Sequence, residues 1–462
     1  MALSKESIHG VWGSRWVFIL AATGSAVGLG NIWKFPYIVG ENGGGAFVLI
    51  YLLCIAVVGI PIMMGEVLIG RRGRQSPINA LRSLAAEANA SPLWKYVGWM
   101  GVIAGFLILS YYSVIAGWAI MYVFRLGLGR FEGATPEAVE ESFNSLLADP
   151  VTLGMLHTVF LIATMVIVGR GVNQGIEVAV KVLMPALFVL LAVLLGYSIS
   201  AGDFNKGFQF LFHVDFSVVT AESVLTALGH AFFTLSLGMG AIMVYGAYMP
   251  KNASIGSTVV TVALLDTLVA LVAGLAIFPI VFANNMEPGA GPGLMFVTLP
   301  IAFGQIPGGA TFGALFFLLV SFAAWSSSIS LIEPFVAWVV EKGWLKRPMA
   351  ALVLGLMIWV LGMGTVLSFN VGKDVSFLMG KNFFDSLDYL TANIMLPLGG
   401  LLVAIFAGWI MRRTTVEKEL NMHSYLLYAA WTIVIRLVSP IAVVMVLIWA
   451  LFAEPIKAML DW

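Results

Sequence analysis

The chain is poor in charge. Lys and Arg number 24 and Asp and Glu 24, together 10% of 462 residues, against about 25% in a soluble globular domain. That excludes a soluble globule, and the even balance gives no electrostatic reason for a nucleic-acid partner. A single cysteine, Cys54, excludes an intrachain disulfide and reads as a small core residue. Five histidines, His9, His157, His213, His230 and His423, are scattered without an HExxH pair. No serine stands in a nucleophile elbow, so a membrane enzyme has no constellation to work with and none is expected. Met1 to Gly10 is polar, with no apolar core before a cleavage site, so no removable signal peptide is expected.

Hydrophobic residues make up 60% of the chain and mean hydropathy is +0.98, which makes it an all-α polytopic membrane protein. At about 20 apolar residues per crossing, eleven spans are expected. They lie near 14–38, 43–70, 92–126, 151–170, 174–199, 222–249, 255–284, 311–341, 349–370, 385–411 and 424–453. Basic residues gather in alternate loops: Arg71, Arg72, Arg74 and Arg82; Arg170; Lys251; Lys342, Lys346 and Arg347; Arg412, Arg413 and Lys418. These loops are cytoplasmic by the positive-inside rule. The acidic loop with Glu132, Glu137, Glu140, Glu141 and Asp149 is external. An odd span count then places the N-terminus inside and Trp462 outside.

Gly24-Ser25-Ala26-Val27-Gly28-Leu29-Gly30-Asn31 interrupts the first span. Each glycine weakens a helix by about 1 kcal/mol against Ala, and unpaired backbone groups in hydrocarbon cost several kcal/mol. Gly24 and Gly28 also form a small-xxx-small pair, which alone means only close helix packing. A second break, Thr234-Leu235-Ser236-Leu237-Gly238-Met239-Gly240, falls in the sixth segment. Interrupted helices at corresponding positions of two halves mark the site of a secondary transporter.

Charged groups within spans default to functional hypotheses. They are Glu66, His230, Asp266, Asp385 and Asp388, with Lys34 closing the outer half of the first span. Lys34 and Asp388 are placed to pair across an external entrance when the site shuts, or each to snorkel alone. Ser326-Ser327-Ser328 supplies three hydroxyls at one depth; serines in membrane helices commonly bond back to their own helix, but hydroxyl and carbonyl oxygens also suit a small hard cation. Asp266 and Asn31 offer a second oxygen site. The loop from about Asn285 to Pro307, with Pro288, Pro292, Pro300 and Pro307, reads as a long, external, semi-rigid connector or lid.

Five motifs carry a resemblance to a known family: Gly24 through Asn31-Ile32-Trp33-Lys34-Phe35-Pro36, Glu41-Asn42-Gly43-Gly44-Gly45-Ala46-Phe47, Gly59-Ile60-Pro61, Phe233-Thr234-Leu235-Ser236-Leu237-Gly238 and Asp385-Ser386-Leu387-Asp388-Tyr389-Leu390. The chain resembles the neurotransmitter:sodium symporter family from about Trp12 to Arg413, and within it the bacterial eleven-span amino-acid transporters. The resemblance implies an inverted five-plus-five repeat with unwound first and sixth helices. It divides the chain into an N-terminal cytoplasmic segment 1–13, a first repeat 14–199, a second repeat 222–411 and an eleventh span 424–453.

The same resemblance implies two sodium sites. The first comprises Ala26, Asn31, Thr234 and Asp266 with the substrate carboxylate; the second comprises Gly24, Val27, Ala323, Ser326 and Ser327. The substrate contacts would be Ser25, Ala26, Leu29, Gly30, Ile108, Tyr112, Phe233, Thr234, Ser236, Met239, Ser327 and Leu331, with Tyr112 as carboxylate anchor and Phe233 as aromatic lid. Gly28 occupies the place where amine transporters of the family carry an aspartate, so an α-amino acid is expected. Met239, where a rigid aromatic is familiar, makes the apolar pocket adaptable and suits several hydrophobic L-amino acids.

Three departures from the family pattern matter. Asp266 stands where asparagine is usual, and Ala270 replaces an acidic residue one turn on. A carboxylate at Asp266 would balance charge from within, so no chloride requirement is expected. His230 replaces a glutamine beside this site, as a proton-coupling group or a neutral hydrogen-bonding histidine; Glu66, His230 and Asp266 together form the charge-balance set. At the inner gate the acid maps to Glu341 and the tyrosine to Tyr248, while His9 holds the usual arginine position, with Lys5 as a possible substitute. The expected function is sodium-coupled import of hydrophobic L-amino acids across a bacterial cytoplasmic membrane by alternating access. A sodium-dependent sensor without flux is the alternative.

Overall fold

The structure, a computed structural model, describes residues 7–288, 293–422 and 424–459. Lys5, His423 and Trp462 lie outside these residues. The described chain is helical, and nine helices are long and apolar enough to cross a membrane. The pair Arg15–Ala26 and Gly30–Glu41, bent by 52°, makes a tenth. The sixth hydrophobic segment falls outside that count: its halves, Ala221–Thr234 and Ala241–Ala247, are short and separated by the non-helical residues 235–240. With that segment the eleven stretches expected from hydropathy all appear in order.

The spans form where expected because their two faces differ in what they touch. On Ile255–Ala283, Val260, Leu264 and Leu268 are exposed at four-residue spacing, while Asp266, Val269, Ala270 and Ala273 are buried. That is the helical repeat of one lipid-facing stripe and one packed face. Helix starts are capped by side chains: Asp149 accepts from the N–H groups of Val151 (3.0 Å) and Thr152 (3.1 Å) ahead of Pro150–Gly169. Ser254 caps Ile255–Ala283 in the same way.

The connector after the seventh span departs from expectation. Leu294–Thr298 and Leu299–Gln305 are helical and pack inward, burying Leu294, Met295, Phe296, Leu299 and Phe303. Phe296 stacks on Phe143 (5.5 Å between centroids) and meets Trp118 edge-on (5.4 Å). Pro300 is accommodated because the preceding turn, Leu294–Thr298, is a wider π turn in which the Leu299 N–H reaches back to the Leu294 carbonyl. Short helices at Pro77–Glu87, Pro136–Ala148, Phe204–Phe212 and Arg413–Leu420 also join the spans.

Candidate functional site

The first break begins at Val27, whose extended backbone (φ −70°, ψ 106°) ends the helix Arg15–Ala26. Glycine is required just beyond by crowding. A Cβ at Gly28 would lie 2.5 Å from Ser327 Oγ and 2.9 Å from the Tyr112 hydroxyl, and one at Gly30 would lie 3.2 Å from the Phe233 ring. The second break is enforced by left-handed backbone at Ser236 (φ 55°), Gly238 (φ 80°) and Gly240 (φ 75°). Glu66 braces it: one carboxylate oxygen accepts the Gly238 N–H at 2.7 Å, so an amide freed by unwinding is not orphaned.

Between the two breaks lies a narrow cavity of about 30 Å³. Of the substrate contacts expected from sequence, all but Thr234 line it, and Gly28 joins them. Thr234 instead turns its hydroxyl to Asp266 Oδ2 (3.1 Å). The Leu29 N–H donates to the Tyr112 hydroxyl at 3.3 Å, Ser236 Oγ donates to the Ser25 carbonyl at 2.8 Å, and Ser25 Oγ donates to Ser330 Oγ at 2.7 Å. The two unwound segments are thereby tied to each other and to the eighth span.

Two oxygen-rich clusters flank the cavity. In the first, the Asn31 amide nitrogen donates to Asp266 Oδ1 (2.8 Å) and to the Asp266 carbonyl (3.1 Å), and Asn31 Oδ1 accepts the Gly28 N–H (3.1 Å). With Thr234 this joins three spans around one buried carboxylate. In the second, Ser327 Oγ lies 3.2, 3.2 and 3.1 Å from the carbonyls of Gly24, Ser25 and Val27, and Ser326 Oγ lies 3.0 Å from the Ala323 carbonyl. One hydroxyl proton satisfies only one of three carbonyls; the surplus of converging lone pairs suits a hard cation. Ser328 does not belong here, since its hydroxyl faces Thr164 Oγ1 at 2.9 Å.

Gate residues divide differently from the sequence expectation. Lys34 and Asp388 face one vestibule, but they form no ion pair. The Lys34 ammonium lies 4.7 Å above the Phe233 ring, and Asp388 accepts from the Tyr111 hydroxyl at 3.3 Å. The vestibule reaches Tyr112 and Phe233 between them, so this path is not latched. At the opposite end, hydrogen bonds tie the N-terminal segment to the neighbouring helices. Trp12 donates its indole N–H to the Tyr245 carbonyl (3.1 Å) and its backbone N–H to the Tyr248 carbonyl (2.9 Å). His9 meets Glu341 at 3.2 Å, and Glu341 also accepts from the Ser76 backbone N–H (2.6 Å) and from Asn79 (2.6 Å).

The Tyr248 ring lies 5.8 Å from that of His9, and its hydroxyl donates to Glu333 at 2.7 Å. Glu333 in turn pairs with Arg347, which also donates to the Val168 carbonyl at 2.8 Å. Glu333 was missed by sequence reasoning, although a carboxylate in the last third of a hydrophobic span, Gly309–Glu341, is itself a signal. Its partner lies across a turn and shares no local spacing. His230 is buried, 6.0 Å from the Phe35 ring and 5.4 Å from that of Tyr51, and neither ring nitrogen has a partner among the described residues. The hydrogen-bonded histidine considered above is therefore not what the structure contains.

Comparison with known proteins agrees with this geometry. The family model described as "Sodium:neurotransmitter symporter family" matches residues 9–128 and 141–460. An uncharacterized sodium-dependent transporter of Bacillus subtilis is 38% identical over 438 residues, covering 94% of this chain and 96% of its own. One of Haemophilus influenzae is 34% identical over 449 residues, covering 96% and 98%. The human sodium- and chloride-dependent GABA transporter 2 is 25% identical over 92% of this chain and 77% of its own. Among solved structures, MhsT in complex with L-phenylalanine superposes with a TM-score of 0.88 at 44% identity, covering 96% of this chain and 99% of that one.

Proposed function

The chain belongs to the sodium:neurotransmitter symporter family, and from that premise we propose that it imports hydrophobic L-amino acids with sodium, without a chloride requirement. The observation that carries this reading is the junction of cavity and carboxylate. Gly30 and Phe233 line the cavity, and their chain neighbours Asn31 and Thr234 both bond Asp266. A substrate carboxylate at the first break is within reach of the Leu29 N–H and the Tyr112 hydroxyl, which bond each other here, and it completes the oxygen shell that Ala26, Asn31, Thr234 and Asp266 begin. Its side chain then rests against Ile108, Met239, Leu331 and Phe233. That MhsT is similar and was solved with L-phenylalanine supports the choice of substrate class.

The mechanism is alternating access. Sodium and substrate enter by the outer vestibule, Phe233 and Tyr112 close over them, and Lys34 leaves the Phe233 ring to pair with Asp388. A second sodium, held by Gly24, Val27, Ala323, Ser326 and Ser327, fixes the first span to the eighth. Its loss releases that link, and the inner seal of Trp12, His9–Glu341 and Tyr248–Glu333–Arg347 opens. Uptake is driven by the sodium gradient and by the membrane potential, about 2.3 kcal/mol per charge per 100 mV. The alternating basic loops support a cytoplasmic-membrane location with the N-terminus inside and the C-terminus outside. Segments 14–199 and 222–411 are assigned as the two repeats.

The test is uptake of labelled leucine into proteoliposomes under an inward sodium gradient against an equal potassium gradient, with unlabelled amino acids as competitors. Concentrative uptake only with sodium is the expected result. Sodium-dependent binding without concentration would make the protein a sensor, and indifference to sodium would end the reading.

A further inference from the structure

Arg436 lies in the eleventh span, Tyr425–Phe452, and the function described above does not use it. Its helix neighbours Ile433 and Leu437 are 56% and 52% exposed, so this guanidinium belongs to the membrane-facing side rather than to the core. It is held in a built setting. Nε donates to the Gly408 carbonyl at 2.6 Å, the guanidinium carbon lies 5.3 Å from the centre of the Trp409 ring, and the Trp409 indole N–H donates back to the Arg436 carbonyl at 3.3 Å. Gly408 is part of that fit, since a Cβ there would lie 3.1 Å from Arg436 Cγ.

Among the described residues no carboxylate lies within ion-pair distance of Arg436, and the donors on its two terminal nitrogens have no protein acceptor. Depth follows from the neighbouring helices. Ala407, beside Gly408, packs on Gly65. Gly65 precedes Arg71 by six residues on the helix Ile60–Gly73, about 9 Å of rise, and Arg71 is where that helix meets Glu419. The backbone at Arg436 packs beside Ile55–Gly59 in the second span, and the side chain reaches back to Gly408, so the free fork sits about 9 Å from the level of Arg71, at a depth where a charge without a counter-ion is expensive.

We propose that Arg436 and Trp409 form a binding site for the phosphate of an anionic phospholipid. A guanidinium presents parallel N–H groups that match two phosphate oxygens. The indole beneath it keeps the fork in place, and Trp409, itself 57% exposed, offers a flat apolar wall to the first acyl carbons. The lipid supplies the negative charge that the protein omits.

The experiment is native mass spectrometry of the full chain titrated with phosphatidylglycerol or with phosphatidylcholine of the same acyl chains. Wild type is expected to retain phosphatidylglycerol preferentially. Arg436→Gln is expected to weaken retention about fivefold, which corresponds to about 1 kcal/mol per basic group at the membrane surface. Arg436→Lys should fall between, while Arg413→Gln, at an exposed arginine already paired with Glu417, should match wild type. Equal retention by Arg436→Gln and wild type, or no preference between the lipids in wild type, would overturn the proposal. Should Arg436→Gln fail to fold, brominated phosphatidylglycerol at low mole fraction decides the matter. It should quench wild-type fluorescence more than that of Trp409→Phe, and equal quenching counts against the site.

Discussion

Asp266→Asn isolates the charge that distinguishes this site. The carboxylate is fully buried and accepts from Asn31 (2.8 Å) and Thr234 (3.1 Å). An asparagine there keeps its oxygen toward Asn31, but it presents an amide to Thr234, whose hydroxyl must turn from donor to acceptor. Shape is nearly preserved and one negative charge is lost. For a cation about 4 Å away at an effective dielectric of about 20, that charge is worth about 4 kcal/mol, or roughly a thousandfold in sodium affinity. Proteoliposome uptake in sodium chloride against sodium gluconate reads the consequence. Wild type should transport equally in both, and Asp266→Asn should fail in gluconate. Chloride should restore part of its uptake, since the Tyr51 hydroxyl and the His230 ring, one turn before Thr234, have donors without partners. Chloride-dependent uptake by wild type would refute the charge-balance argument. So would a variant that keeps its sodium affinity within a few-fold in gluconate.

Three further outcomes follow from contacts in the structure. Gly28→Ala puts a methyl 2.5 Å from Ser327 Oγ; overpacking of about 1–3 kcal/mol should lower leucine affinity roughly 5- to 150-fold in equilibrium binding, and an unchanged affinity would mean that the cavity yields. Met239→Ala removes one wall of the apolar pocket and should cost leucine about 1–3 kcal/mol while sparing larger side chains, so competition against labelled leucine should reorder in favour of tryptophan. Glu333→Gln leaves Arg347 as an uncompensated buried cation, a loss of about 3–5 kcal/mol on the sealed inner side; deuterium exchange around Trp12 should rise, and unchanged exchange would show that the pair does not hold the seal.

The sequence by itself determined everything that depends on local composition. Hydropathy alone placed eleven crossings, because transfer from water to hydrocarbon acts on each segment separately. Glycine runs alone located the two breaks at Gly24–Asn31 and Thr234–Gly240, because unwinding in a membrane needs those residues where they stand. Motif resemblance pointed to residues most of which the structure gathers around one cavity. Tertiary structure decided which of them meet. Glu333 finds Arg347 and Tyr248, Lys34 lies on Phe233 rather than on Asp388, Thr234 turns from the cavity to Asp266, and the proline-bearing connector folds inward as helix. Each of these is a choice among partners from distant spans. Such choices are settled by how helices pack and by which buried polar group would otherwise be left unpaired, and no window of sequence contains that information.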